Sequence, residues 1–236
     1  MIDISINAKN SIDMSDLLQA IELNTGHNPI GAVIWMHGLG ADGNDFVPVV
    51  KELGLPDTLP LRFIFPHAPM RPVTINAGHV MRAWYDIIEI SSNERKVDDA
   101  GIRESQRAIE ALIAREISRG IPANKIVLAG FSQGGAIALQ TGLRYKQALA
   151  GILALSTYLP LAASLEAEAS NANRNIPIFM VHGEQDTVIP ITIAENSLKE
   201  LERLGYKADW REYPIPHSVS MEEIENIGGW LKQRFQ

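Results

Sequence analysis

The chain has 236 residues, 46% hydrophobic and 21% charged, and can bury a large core without a disulfide or a metal. It has no cysteine, which excludes thiolate catalysis, Cys-ligated zinc and disulfides and fits a reducing compartment. A net charge of −7 and no basic block argue against nucleic acid as a partner.

The N-terminal stretch MIDISINAKNSIDMSDLLQAIEL carries acids where a secretory leader needs a basic region and an apolar core. The longest apolar runs, such as ALAGILAL, fall far short of a membrane span. A cytoplasmic protein with no membrane span is expected. Residues 1–29 read as an extension leading into the first core strands.

From there, short apolar runs alternate with helical patterns. Strands are predicted at 31–36 (GAVIWM), 62–65, 125–129 (KIVLA), 149–155, 177–181 and 208–213. Several are continuously apolar, the mark of strands covered on both faces in a mostly parallel sheet. In 98–119, Ile102, Ile109, Leu112, Ile113 and Ile117 recur at helical spacing until Gly120 and Pro122 stop the pattern. Further helices are predicted from Gly134 through Lys146, over 190–204, and after His217 to Phe235. Residues 66–97 read as a long loop region over the strand ends, and 159–175 as a short helix plus a surface loop. With no repeat and no linker, the expectation is one α/β domain over 1–236: a mostly parallel central sheet with helices on both faces.

Two glycine motifs carry chemistry. The first is Gly130-Phe131-Ser132-Gln133-Gly134, between the predicted strand KIVLA and the following helix. The bare G-x-S-x-G pattern occurs by chance in about one chain in ten of this length. At a strand-to-helix corner it is far more specific. The turn lifts a hydroxyl above the sheet, and the next N–H, at a helix N-terminus, can face a developing negative charge. Ser132 is therefore the candidate nucleophile. A serine needs a base and an orienting acid, which in this fold follow in the order acid, then histidine. His217, in the loop before the last helix, is preferred to His182, which closes a strand end. Asp186, in the loop after 177–181, is preferred to Glu184, and to Asp209 at the wrong end of the sheet.

The second motif is Gly38, Gly40 and Gly43 in WMHGLGADGNDF, a G-x-G-x-x-G after a strand. One reading is a dinucleotide fingerprint and an NAD-dependent oxidoreductase. Against it, Asp57 precedes the second strand instead of ending it, and Pro48 interrupts the required helix. The other reading is an oxyanion loop, in which the N–H groups of Leu39 and Gln133 face the acyl oxygen. The lone histidines His67 and His79 read as loop hydrogen-bonding groups. Neither a metal nor a cofactor is expected.

The blocks HGLGADGNDF, FPHAPMRPVTINAGHVMRAWYDI, GFSQGGAIAL, HGEQDTVIP and YPIPHSVSMEEI together resemble the phospholipase/carboxylesterase family, which includes the acyl-protein thioesterases. The resemblance runs from about residue 30 to the C-terminus. It implies an α/β-hydrolase fold and a serine hydrolase with Ser132, Asp186 and His217 as triad and Leu39 and Gln133 as oxyanion donors. It also implies a shallow apolar acyl site to which Trp84 and Val188 contribute, a lipid-acyl ester, small ester or acylated protein as substrate, and a homodimer. Thr157 in LSTYLP stands where relatives often have glycine, and Pro216 precedes the histidine where Gly or Glu is common. A peptidase or amidase and a non-catalytic binding module of the same fold are the remaining alternatives.

Overall fold

A computed structural model describes residues 17–90 and 95–236. Its centre is a seven-stranded sheet built from β1 (Ala20–Asn24), β2 (Gly31–Met36), β3 (Leu61–Pro66), β8 (Ile126–Phe131), β9 (Gly151–Leu155), β10 (Ile178–Gly183) and β11 (Ala208–Tyr213), in the order β1-β3-β2-β8-β9-β10-β11. β1 runs antiparallel to β3, and every other neighbouring pair is parallel.

Each central strand feeds two cores. In β2, Ala32, Ile34 and Met36 enter one core, and Val33 and Trp35 enter the other. β8, β9 and β10 divide in the same way, which is why their sequences are apolar without alternation. The first core is covered by α1 (Asp99–Ser118), α2 (Gln133–Arg144), α3 (Ala162–Glu168) and α4 (Ile191–Arg203). The second is covered by α5 (Met221–Phe235) and the 3-10 helix Val47–Leu53. Helices on both faces of a mostly parallel sheet make this an α/β-hydrolase fold, as expected.

Two sequence-based expectations need correction. Within the expected 1–29 extension, β1 is an antiparallel edge strand; residues 1–16 of that extension lie outside the described residues. Ile21 and Leu23 of β1 pack against the second core. The expected 66–97 loop instead carries two hairpins, β4 (Met70–Val73) with β5 (His79–Arg82) and β6 (Ile87–Ile90) with β7 (Arg95–Val97). Residues 91–94 of that region are not among those described. Asp86 ties the two hairpins together, accepting the Thr74 N–H at 2.7 Å and the Thr74 hydroxyl at 2.5 Å.

Candidate active site

All the loops that matter leave the carboxyl ends of the parallel strands, where this class of fold places its sites. Ser132 occupies the corner between β8 and α2 at φ 55, ψ −119, a backbone conformation rare for any residue but glycine. Close packing holds it there. A Cβ at Gly130 would strike the backbone of Gly134, and one at Gly134 would strike Met36. The Ser132 N–H donates to Leu155 O at 2.9 Å. Its carbonyl accepts the Ala136 N–H at 3.1 Å and the Thr157 hydroxyl at 2.6 Å.

His217 comes from the loop between β11 and α5. Its Nε2 lies 3.0 Å from Ser132 Oγ and its Nδ1 2.6 Å from Asp186 Oδ2. The Phe131 ring packs on the imidazole, with centroids 4.7 Å apart. Asp186, in the turn after β10, is fully enclosed, and its Oδ1 accepts the N–H groups of Val188 and Ile189, both at 2.8 Å. Burial pushes its carboxyl up, but the His217 N–H, the backbone N–H of Ile189 and the nearby imidazoles outweigh burial and hold it below the ordinary carboxylate range. The structure thus brings Ser132, His217 and Asp186 together. Glu184 and Asp209 lie elsewhere: the Glu184 N–H is tied to Tyr213 O, and Asp209 sits near the start of β11.

His182 is buried, and its Nε2 donates to Ile189 O at 2.7 Å. Burial lowers its pKa, and the ring braces the loop that carries Asp186. His67 accepts the Gly43 N–H at 3.0 Å, and His79 bonds the Asn76 carbonyl at 2.9 Å.

The glycine-rich loop after β2 lies against the serine. Gly40 takes φ +77 and donates its N–H to Arg82 O at 2.9 Å, so the end of β5 fixes the loop. His37 anchors it from beneath. Its Nδ1–H donates to Gly38 O at 2.7 Å, and its Nε2 accepts the Ala68 N–H at 3.0 Å. A ring that must accept at Nε2 stays neutral, and burial drives its pKa down to about 4. The loop continues into the 3-10 helix Val47–Leu53, with Pro48 in its first turn, so the dinucleotide reading lacks its α-helix and is not favoured.

A cleft of about 260 Å³ opens over Ser132. Gly38, Leu39 and Gln133 line it on the loop side, Ile75, Tyr85 and Ile87 on the hairpin side, and Tyr158, Val188 and Ile189 opposite. The Gln133 N–H belongs to the first turn of α2 and has no intrahelical acceptor. Val188 is 52% exposed at the rim. Trp84, expected at the acyl site, is instead fully buried outside the cleft, and its indole N–H donates to His37 O at 2.8 Å. The Gln133 side chain clamps this corner, accepting the Trp84 N–H at 3.0 Å and donating to Tyr85 O at 2.8 Å. The neighbouring aromatic, Tyr85, therefore reaches the cleft. Tyr158, Ile75 and Ile87 lie within stretches that the sequence analysis quotes, but nothing in the sequence marks which side chains of those stretches line the cleft.

A serine at a strand-to-helix corner, on the carboxyl edge of a parallel sheet and within reach of an imidazole, defines the class: a serine hydrolase of the α/β-hydrolase fold, an enzyme that cleaves esters or thioesters. The chain belongs to the phospholipase/carboxylesterase family, whose model matches residues 21–234. It is 40% identical over 210 residues to acyl-protein thioesterase 1 of Neurospora crassa, covering 86% of each chain. It is 35% identical to acyl-protein thioesterase 1 of Cryptococcus neoformans, covering 93% of this chain and 99% of that one. Among solved structures it is similar to Arabidopsis thaliana SOBER1, with TM-score 0.83, 29% identity, and coverage of 87% of this chain and 99% of that one. It is also similar to Zea mays acyl-protein thioesterase 2, with TM-score 0.80, 26% identity, and coverage of 92% and 99%. Among the described residues, no helix is long and apolar enough to cross a membrane.

Proposed function

We propose that the chain hydrolyses acyl esters and thioesters of short to medium chain length through an acyl-enzyme formed on Ser132 in the cytoplasm, with small esters, or lysophospholipids or acylated proteins bearing acyl chains of that length, as its substrates. The observation that carries this reading is the continuous path from Ser132 Oγ through the His217 ring to Asp186, at 3.0 and 2.6 Å. Similarity to acyl-protein thioesterases supports the substrate class.

In this mechanism His217 Nε2 takes the Ser132 proton as Oγ bonds to the acyl carbon. The carbonyl π electrons move onto oxygen, and the N–H groups of Leu39 and Gln133 face the resulting oxyanion. The C–O or C–S bond then breaks, and the leaving group receives the proton from His217. Water repeats the cycle, giving up a proton to His217 as it attacks the acyl-enzyme and releasing the acid. Asp186 accepts the Nδ1–H throughout, which keeps Nε2 free to receive a proton and stabilises the imidazolium.

The test is hydrolysis of p-nitrophenyl esters and matched thioesters by wild type and Ser132→Ala, with fluorophosphonate labelling alongside. Turnover and labelling are expected to disappear together in Ser132→Ala while the far-UV spectrum is retained. Full turnover by that variant would remove the assignment.

A further inference from the structure

One wall of the cleft over Ser132 is shared with another pocket. A second cavity of about 310 Å³ lies beyond it, between the start of α4 and the segment leading into α3, lined by Leu159, Pro160, Leu161 and Ile193. Tyr158 lines both spaces. So does the base of one hairpin: Ile87 faces the cleft, while Val97, its partner across the β6–β7 ladder, faces the second cavity. Among the described residues, Tyr158 is the side chain that both linings share. The hydroxyls of Tyr85 and Tyr158 meet at 2.7 Å, with both rings buried. Two of the polar groups lining the second cavity are engaged, and Asn196 is exposed at its open side. Ser197 accepts the Leu159 N–H at 2.9 Å and donates to Ile193 O at 2.9 Å, and Glu200 pairs with Arg203. The rest of its lining is largely apolar, and it adjoins the cleft at Tyr158.

We propose that Tyr158, held by its hydroxyl bond to Tyr85, sets the length of acyl chain the enzyme accepts: it ends the chain's path in the cleft and shuts off a second cavity that would otherwise take the distal methylenes. The inference rests on the ester and thioester hydrolysis proposed above. Each added methylene that finds apolar cover favours binding by about fourfold, and one that finds a wall loses this and adds strain.

The experiment compares kcat/KM for p-nitrophenyl butyrate, octanoate and palmitate among wild type, Tyr158→Phe, Tyr158→Ala and Tyr158→Ala with Ile193→Trp. Wild type is expected to discriminate against palmitate. Tyr158→Ala is expected to raise the palmitate-to-butyrate ratio by about tenfold or more, and the added Trp in the second cavity to cancel that gain. A ratio unchanged in Tyr158→Ala, or a rise that Ile193→Trp leaves intact, overturns the proposal. Should Tyr158→Ala not fold, the wild-type and Tyr158→Phe profiles decide. Wild type cleaving palmitate as well as butyrate, or Tyr158→Phe leaving the ratio unmoved, overturns it. Serine-dependent turnover with a flat length profile defeats this inference alone, whereas no ester turnover at any length defeats the hydrolase reading beneath it.

Discussion

Ser132 holds its positive φ only because its neighbours over-determine it, and Thr157 is among them. The Thr157 hydroxyl is the one side-chain donor on the Ser132 carbonyl among the described residues. Thr157→Val keeps the shape and removes the donor. We expect kcat to fall about tenfold with KM little changed, and Thr157→Ser to restore it. A change in KM alone would assign Thr157 to packing. Asp186 presents a sharper case. Its Oδ1 accepts two backbone N–H groups, so an Asn there keeps oxygen on that side and turns its NH₂ toward His217 Nδ1. The imidazole must then carry its proton on Nε2, facing Ser132, where it cannot accept another. Asp186→Asn is expected to lower kcat by about 10⁴ with little change in melting temperature, the loss seen when the orienting acid of a serine protease is replaced in the same way. At this scale the sequence was legible where chemistry restricts residue type. The corner serine, and an acid and a histidine following it in loops, could be read from motif and order. Trp84 could not be told from Tyr85, because which of two adjacent aromatics turns inward depends on the Gln133 clamp, a contact between distant segments.

Among the elements, α5 carries an unresolved electrostatic cost. Ser220 caps it, its hydroxyl accepting the Glu223 N–H at 3.1 Å. In a full capping box the Glu223 carboxylate would turn back to the cap's own N–H. Here neither buried carboxylate oxygen makes a well-formed hydrogen bond among the described residues; burial pushes the pKa up to about 7, and the nearby Ser220 N–H offsets this only in part. The folded state therefore holds a proton that the unfolded chain, at an ordinary carboxylate pKa, releases between about pH 4.5 and 7. Stability from this group is lost as pH rises through that window. Glu223→Gln is expected to stabilise the protein by up to about 3 kcal/mol at pH 8 and by little at pH 4.5, read from denaturant unfolding at the two values. An equal effect at both would place the cause in packing. The elements themselves were legible in proportion to burial on two faces. β2, β8, β9 and β10 are apolar throughout because each serves both cores. β1 has a sheet neighbour on one side only, and the 66–97 hairpins are ladders of three or four residues with Pro72 in one arm, too short to set a periodicity.

At the scale of the whole molecule, two buried groups oppose each other in pH. His37 is neutral when folded, with a pKa of about 4, while its ordinary value is 6.5. The unfolded chain binds the extra proton as pH falls from 6.5 toward 4, so acid destabilises through His37 over the range in which it stabilises through Glu223. Their slopes offset between about pH 4.5 and 6.5. Removing the acid partner in Glu223→Gln therefore also uncovers a steeper loss of stability below pH 6.5 than wild type shows, visible in the same unfolding series.

The sheet order also has a consequence in time. β2 finds its partner β8 only after two hairpins and α1 have been made, pairing Ala32 with Ile126. The serine corner is complete once β8, α2 and β9 with the Thr157 turn are in place. The proposed base is on the far side of β11, and α5 beyond it seals the fold, its Gly228 against the backbone of Leu53 and its Phe235 over Gly31. In chain order the proposed nucleophile is thus complete well before the residue proposed to deprotonate it. On the proposed mechanism, competence to cut acyl bonds therefore waits for the last loop and the helix packed beyond it.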